Sequence, residues 1–386
     1  MTKKECECFR QSGGAGRLHR AFDNRSRIRV SSHLNLRRDE TGRNDCRSWI
    51  GQNSQSISPA SARHSWRMLL YRFLFRLSIA ASTLAFTLPA TAAQLSGDAR
   101  AAIPHDLQQL VMVDYRAMQN SDSAMQLKER VMPPDLKQFD EALQKSGVND
   151  NHDVDSLAFA LYRMPGAGDQ LGTVGIAQGQ FSVEDMVANF RKQKVRPALI
   201  RTNRVYPLGK TGMVLCFIDP STMIFGSSEA VKQALDVRDG LTPSMLTNSP
   251  IMDAMRSVEA EPLWSILDQK GTETMMRQVM GEAGSVTDYD SVRKRLVGSW
   301  YTMNFQHGVR FDLTISTGDN FAAATVSSLL NAAVLYRKMS ASDAEKSALA
   351  STDISSNSGL LSVHFQSSDT EFNSLLKSTL FQSMVH

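Results

Sequence analysis

Asp155-Ser-Leu-Ala-Phe-Ala-Leu-Tyr-Arg163, then Met164-Pro-Gly-Ala-Gly-Asp169, then Leu171-Gly-Thr-Val-Gly-Ile-Ala-Gln-Gly-Gln-Phe181, is the passage on which the fold turns. Leu157, Phe159 and Leu161 recur at every second position, the period at which side chains return to one side of a strand. The second run alternates in the same way through Val174 and Ile176. Between them Pro165, Gly166 and Gly168 are turn formers, Pro by its fixed φ and Gly by its tolerance of positive φ. Two alternating runs joined by a short turn make an antiparallel hairpin, and helical patterns on either side of it point to an α+β fold.

Before the hairpin, residues 109–115 (Gln-Leu-Val-Met-Val-Asp-Tyr) read as a first strand. Residues 123–132 and 135–145 have helical spacing, the second with Leu136, Phe139 and Leu143 on one face. Pro133 and Pro134 must separate them, because proline lacks the N–H that an interior helical position donates. After the hairpin, Ser182-Val-Glu-Asp185 resembles a capping box ahead of a helix carrying Met186, Val187 and Phe190. Strands are expected at 198–206, 212–218 and 222–225, then a helix capped by Ser227 or Ser228 and a short helix at 251–258.

The order then recurs. A strand at 263–267 leads to a helical stretch at 272–296 with a break near Gly284, a hairpin of 299–305 and 309–316 about His307-Gly308, and a long helix at 321–339. A strand at 359–365 comes next, and Ser368-Asp-Thr-Glu371 is a full capping box for a last helix bearing Phe372, Leu375, Leu376 and Leu380. Residues 108–260 and 261–386 therefore read as two similar βαββαβ-like halves, each an antiparallel sheet with helices packed on one face. This order suggests an internal duplication, with two sheets that either join edge to edge or face each other across a cleft.

Upstream of residue 93 the composition changes. Residues 68–92 contain Arg72 and Arg76, the apolar run 77–88, Pro89 and the small residues Ala90-Thr91-Ala92. That apolar run is shorter than the roughly 20 residues a spanning helix needs, so it reads as a cleavable secretory signal ending near Ala92. Residues 1–67 are basic and aperiodic and read as disordered or upstream-translated sequence, with 93–107 a lead segment. Residues 1–92 hold 16 of the 43 Lys and Arg but 6 of the 39 Asp and Glu, which leaves 27 cations against 33 anions in the mature chain. The formal charge of +4 is thus reversed after export, and nucleic acid is not an expected partner. The leader implies a periplasmic or extracellular location, without a stable transmembrane segment after cleavage.

Chemical motifs are sparse. Glycine-rich phosphate loops, nucleophile elbows and paired metal ligands are missing from the sequence, His105, His152, His307, His364 and His386 are isolated, and neither a metal nor a cofactor is expected. Cys216 is the lone mature cysteine, set in an apolar strand as a small hydrophobe. Asp114, Asp219 and Asp268 stand near strand ends, where they would form an acid and base pair, or bind a cation, if the halves face each other. Otherwise they cap the adjoining turns. His152, Asp153 and Asp155 read as solvated turn residues. Ser227 and Ser228 precede a helix and either hold an anion or simply cap it. Arg191, Lys192, Lys194, Arg196, Arg201 and Arg204 form the one basic run, a candidate contact for lipid phosphate or another envelope polyanion. Met275, Met276, Val279 and Met280 read as core.

Two short passages carry a family likeness, Ile103-Pro-His-Asp106 before the first strand and Ile224-Phe-Gly-Ser-Ser-Glu-Ala-Val231 at a strand-to-helix junction. Through them the chain resembles exported bacterial proteins classed as domains of unknown function, some built from tandem βαββαβ-like halves. The resemblance implies a fold and a compartment and brings no catalytic residues. The leading expectation is an exported, non-enzymatic protein that binds a partner, or an apolar ligand between its halves. The alternatives are a carboxylate-based, hydrolase-like enzyme and an envelope assembly or structural factor, with an envelope protein or lipid component as partner.

Overall fold

Helix α1 (Gly97–Ala101) is capped by Ser96, whose side chain accepts from the Ala99 amide. The computed structural model describes residues 94–382 except 167, 169, 211, 281–292 and 380. The leader, the segment before it, the break near Gly284, Leu380 and His386 lie outside the described residues.

Strand β1 (Leu107–Asp114) leads into helices α2 (Tyr115–Met118), α3 (Asp122–Val131), α4 (Pro134–Lys145) and α5 (Asp150–Asp153). Pro134 occupies the first turn of α4, where its missing N–H costs no helical bond. The hairpin of β2 (Val154–Arg163) and β3 (Leu171–Gly179) comes after them. Helix α6 (Val183–Lys192) is next; Ser182 precedes it, but its side chain makes no capping bond, so the expected box does not form. The run read as one strand at 198–206 is instead two, β4 (Ala198–Ile200) and β5 (Asn203–Pro207). Arg201 at φ 55 turns the chain, and Ile200 pairs with Asn203. Strands β6 (Met213–Asp219) and β7 (Thr222–Ser227) and helices α7 (Ser228–Arg238) and α8 (Ser249–Val258) close the first half.

The second half runs β8 (Leu263–Leu267), α9 (Gln269–Met280), β9 (Leu296–Asn304), β10 (Val309–Thr317), α10 (Asn320–Ser340), α11 (Asp343–Ala350), β11 (Thr352–Asn357), β12 (Leu360–Ser367) and α12 (Asp369–Leu375). The β9–β10 hairpin turns through residues 305–308, with His307 and Gly308 both at positive φ, and closes with Arg310 opposite Asn304. Strand β11 has no counterpart in the sequence reading.

All twelve strands form one antiparallel sheet, in the order β11-β12-β10-β9-β8-β1-β2-β3-β7-β6-β5-β4. The halves therefore join edge to edge: Leu110 lies opposite Ile266 and Met112 opposite Trp264 in the β1–β8 ladder. Among the described residues no face-to-face cleft lies between them. Counting outward from this junction, the first half runs β1, β2, β3, β7, β6, β5, β4 and the second β8, β9, β10, β12, β11; with the β4–β5 hairpin set aside as an extension, the two share one neighbour order.

The α+β architecture is as read, but helices cover both faces of the first half rather than one. Residues 222–226 of β7 are all buried, which alternation permits only when both sides are covered. Ile224 packs with Val231 and Leu235 of α7. Met223 and Phe225, on the opposite side, pack with Phe139 of α4 and Phe190 of α6. In the second half Leu313, Ile315 and Leu361 meet Met276 of α9 and Val326 and Leu330 of α10 on that latter side. The other side of β10, β12 and β11 presents mainly polar residues, among them Arg310, Asp312, Thr314, Ser362 and His364.

Candidate functional site

An apolar pocket of about 60 Å³ lies between the sheet and the α3–α4 pair, wholly within the first half. Its floor is Leu157 and Phe159 of β2, Ala177 of β3 and Met223 and Phe225 of β7; its roof is Leu136, Phe139 and Leu143 of α4. The helical spacing of those α4 residues aims one apolar stripe at the sheet. Strand alternation aims Leu157 and Phe159 back at it. Phe225 is the pivot of the floor: its ring stacks on Phe139 with centroids 5.1 Å apart and meets Phe159 edge-on at 5.9 Å. Gly175 sits directly opposite Phe225 in the β3–β7 ladder. A Cβ at 175 would collide with the ring, so glycine is what lets the ring lie flat on the sheet. The pocket's polar lining is Tyr115, Lys128 and Asp140. The Lys128 ammonium stands 4.8 Å over the Tyr115 ring and donates to its hydroxyl at 3.2 Å.

The three aspartates singled out from sequence are not brought together. Asp114 is buried and caps α2, accepting from the Ala117 amide at 2.9 Å. Asp268 caps α9 through the Gly271 amide at 2.8 Å and accepts from Arg163 at 2.6 Å. Burial of Arg163 opposes its charge, but Asp268 and Asp106 outweigh that and hold the guanidinium above its ordinary value. Because β1 and β8 run antiparallel, Asp114 and Asp268 end up about 20 Å apart along the strands, at roughly 3.4 Å per residue. Asp219 lies four strands from β1, on the order of 19 Å at about 4.8 Å per spacing. It accepts from the amide and hydroxyl of Ser221, each at 2.6 Å. Partial burial would raise its pKa, but these bonds and those from Thr222 pull it below the usual carboxylate value. Asp114 and Asp268 thus cap helices, and Asp219 caps the β6–β7 turn.

Ser227 caps α7 by accepting from the Ala230 amide at 3.1 Å, and Ser228 is the first residue of that helix. Of the basic run, Arg201 pairs with Asp236 at 2.7 Å, while Arg196 and Arg204 are exposed beside the short edge strand β4. Cys216 is fully buried, and burial pushes its thiol up to about 11. His152 meets its neighbour Asp153 at 2.9 Å at an exposed position, and Asp155 pairs with Arg116.

Sequence reasoning missed a polar network on the side of β10 and β12 that presents polar residues. His364 Nδ1 lies 2.6 Å from Asp312, Arg310 bonds Asp312 at 3.2 Å and Glu261 at 2.7 Å, and Asn304 donates to Glu261 at 2.8 Å. The only signal was register: Arg310 lies opposite Asn304 in the hairpin, and Asp312 opposite His364 in the next ladder. The latter pairing required β10 and β12 to be neighbours.

No family model and no curated protein matches the chain. Among solved structures it is similar to crystal form I of TP0453, at 8% identity and a TM-score of 0.44, over 76% of this chain and 99% of that one. Crystal form III of TP0453 aligns over 72% and 96% at 10% identity with a TM-score of 0.39. Among the described residues no helix is long and apolar enough to cross a membrane.

Proposed function

We propose that the protein is an exported, non-enzymatic binder of an apolar ligand, which it holds between the α3–α4 pair and the sheet. The observation that carries this reading is the pocket itself, lined by Leu, Phe, Met, Val and Ala, with its polar groups confined to Tyr115, Lys128 and Asp140. Such a slot is at home with a hydrocarbon segment, since apolar cavities stay dry and take up apolar guests. Leu157 and Phe159 are only half-buried despite lying in the sheet's interior, so part of their surface remains for a guest to cover.

Export is supported by the leader-like composition of residues 68–92 and by the acidic balance of residues 93–386. The shared neighbour order of the two halves supports their origin by duplication of one unit. The wide spacing of Asp114, Asp219 and Asp268 gives the hydrolase alternative no footing, and the envelope-assembly alternative has no observation of its own.

The test is mass spectrometry of small molecules that copurify with the chain from its native cells, with titration of a fluorescent long-chain fatty acid. Ala177→Leu, which adds bulk to the pocket floor, should weaken uptake at least about tenfold with the circular dichroism spectrum unchanged. No copurifying apolar compound and equal uptake by both proteins would overturn the reading.

A further inference from the structure

Helix α10 is apolar on both sides. One side, Ala322, Ala323, Val326, Leu330 and Ala333, is buried against the sheet. On the opposite side Phe321 is 72% exposed, Leu335 65%, Tyr336 56% and Met339 84%. From Asn320 to Tyr336 the helix contains no Asp, Glu, Lys, Arg or His. Its outward polar residues are satisfied within the helix: Thr325 donates to the Phe321 carbonyl at 2.8 Å, Ser328 to Ala324 at 3.0 Å and Asn331 to Ser327 at 3.0 Å. Each of these side chains thus directs one donor back onto the helix. A helix that is hydrophobic all round belongs in an interior, and the outer stripe of this one is largely exposed, with the Arg295 guanidinium 5.8 Å from the Phe321 ring centroid.

We infer that the outer stripe of α10 packs antiparallel against the same stripe of a second copy, forming a two-fold symmetric dimer. The distribution of side-chain size argues for this occupant. The ends of the stripe are large, Phe321 at one and Leu335, Tyr336 and Met339 at the other, whereas Ala324, Ser328 and Ala332 between them are small. With the two-fold axis at Leu330, Phe321 comes level with Met339 of the other copy, Ala324 with Tyr336, and Ser328 with Ala332. Large residues meet small ones near the middle, where the backbones approach, and the patch is complementary to itself, as an isologous interface requires.

Charge and area agree. Arg337 and Lys338 end the helix, and half-exposed Asp319 caps its start. Asp319 is already paired with Arg295 at 3.4 Å, so what the antiparallel arrangement does is keep the two cationic ends apart, whereas a parallel one would oppose like charges. At roughly 200 Å² per large side chain, the four exposures leave about 550 Å² of apolar surface per copy, before the small residues between them are counted. A standard interface buries about 800 Å² per partner. An interfacial membrane helix would carry Lys and Arg along its polar edges; α10 has them at one end only.

Sedimentation velocity of the purified chain should show a dimer at micromolar concentration. Leu335→Glu with Met339→Glu should weaken association at least about 100-fold, because a carboxylate cannot enter an apolar seam. Both positions are exposed in the single chain, so the circular dichroism spectrum and melting temperature should not change. As a second measurement, on residues 93–386, which leave out Cys6, Cys8 and Cys46, Ser328→Cys should crosslink to a dimer with a short bismaleimide while the parent does not, Cys216 being buried. A parent chain that stays monomeric at about 100 μM, or dimers that persist in the double variant, would overturn the proposal. So would a monomer that floats with phospholipid vesicles through this stripe, which would make lipid the occupant.

Discussion

Cys216 shows how a single side chain writes itself into the pH dependence of the whole fold. Burial in the β6 ladder favours the neutral thiol and moves it from an ordinary 9.0 to about 11. In the unfolded chain the thiol loses its proton near pH 9, so between about pH 9 and 11 the unfolded state binds fewer protons than the native one. Stability therefore holds below pH 9 and falls as pH rises through that window. Tyr162, pushed to about 12 mainly by burial and secondarily by Glu229, acts in the same direction at higher pH. Urea titrations at pH 8 and pH 10.5 should differ by about 2 kcal/mol more in the parent chain than in Cys216→Ala. An identical pH dependence in the two would mean that the thiol is not held neutral by the fold. Gly175 gives a second expectation. Gly175→Ala forces the Phe225 ring off the sheet, and overpacking of this kind costs about 1–3 kcal/mol. The denaturation midpoint should drop while the slope stays constant, and a midpoint equal to the parent's would contradict the contact.

Elements that declare themselves by local chemistry are legible in the sequence. Ser368 caps α12 and Glu371 reaches back to the Ser368 amide at 3.0 Å, completing the box that the four residues spell out. That backbone bond holds the Glu371 carboxyl below its ordinary value. Ser368→Ala should lower stability by about 1 kcal/mol in urea unfolding, with Glu371→Gln nearer to neutral because an amide still accepts from the cap. Equal losses from the two would show that the charge, not the hydroxyl, does the capping. The hairpin about His307-Gly308 is likewise visible, having alternating flanks on either side of a short turn. Strand β11 is not. Thr352-Asp-Ile-Ser-Ser-Asn357 lies at the sheet edge, where one long side faces water, so it lacks the apolar alternation that marks a half-buried strand. Its turn, Ser358-Gly359 with both φ positive, was the signal available. The β4–β5 break is hidden for a different reason: it depends on Arg201 adopting positive φ, which nothing in an arginine announces. The pocket escapes notice because its residues come from separate elements spread over more than 100 positions. Leu136, Phe139 and Leu143 read as a buried stripe, but their spacing does not say what they face.

At the scale of the molecule, the β1–β8 ladder decides how the halves depend on one another. Sequence order could not choose between two sheets joined edge to edge and two facing each other, since both satisfy the same local patterns. What distinguishes them is the fate of β1 and β8. Each half, taken alone, would expose a strand whose backbone N–H and C=O groups lose their partners on one side, along residues as apolar as Leu110, Met112, Trp264 and Ile266, all of them buried in the whole chain. A long, hydrophobic, unpaired edge is an invitation to aggregate. By contrast, the outer edges are guarded: β4 has only three residues between Pro197 and the Arg201 turn, and β11 is polar. The two halves should therefore form one cooperative unit. Expressed separately, residues 94–260 and 261–386 should aggregate or remain unfolded; coexpressed, they should copurify as a soluble one-to-one complex with the spectrum of the intact chain. Calorimetry of the intact chain should give one transition with equal calorimetric and van't Hoff enthalpies. Two separated transitions, or a soluble, folded first half on its own, would show that the central ladder joins two domains that do not need it.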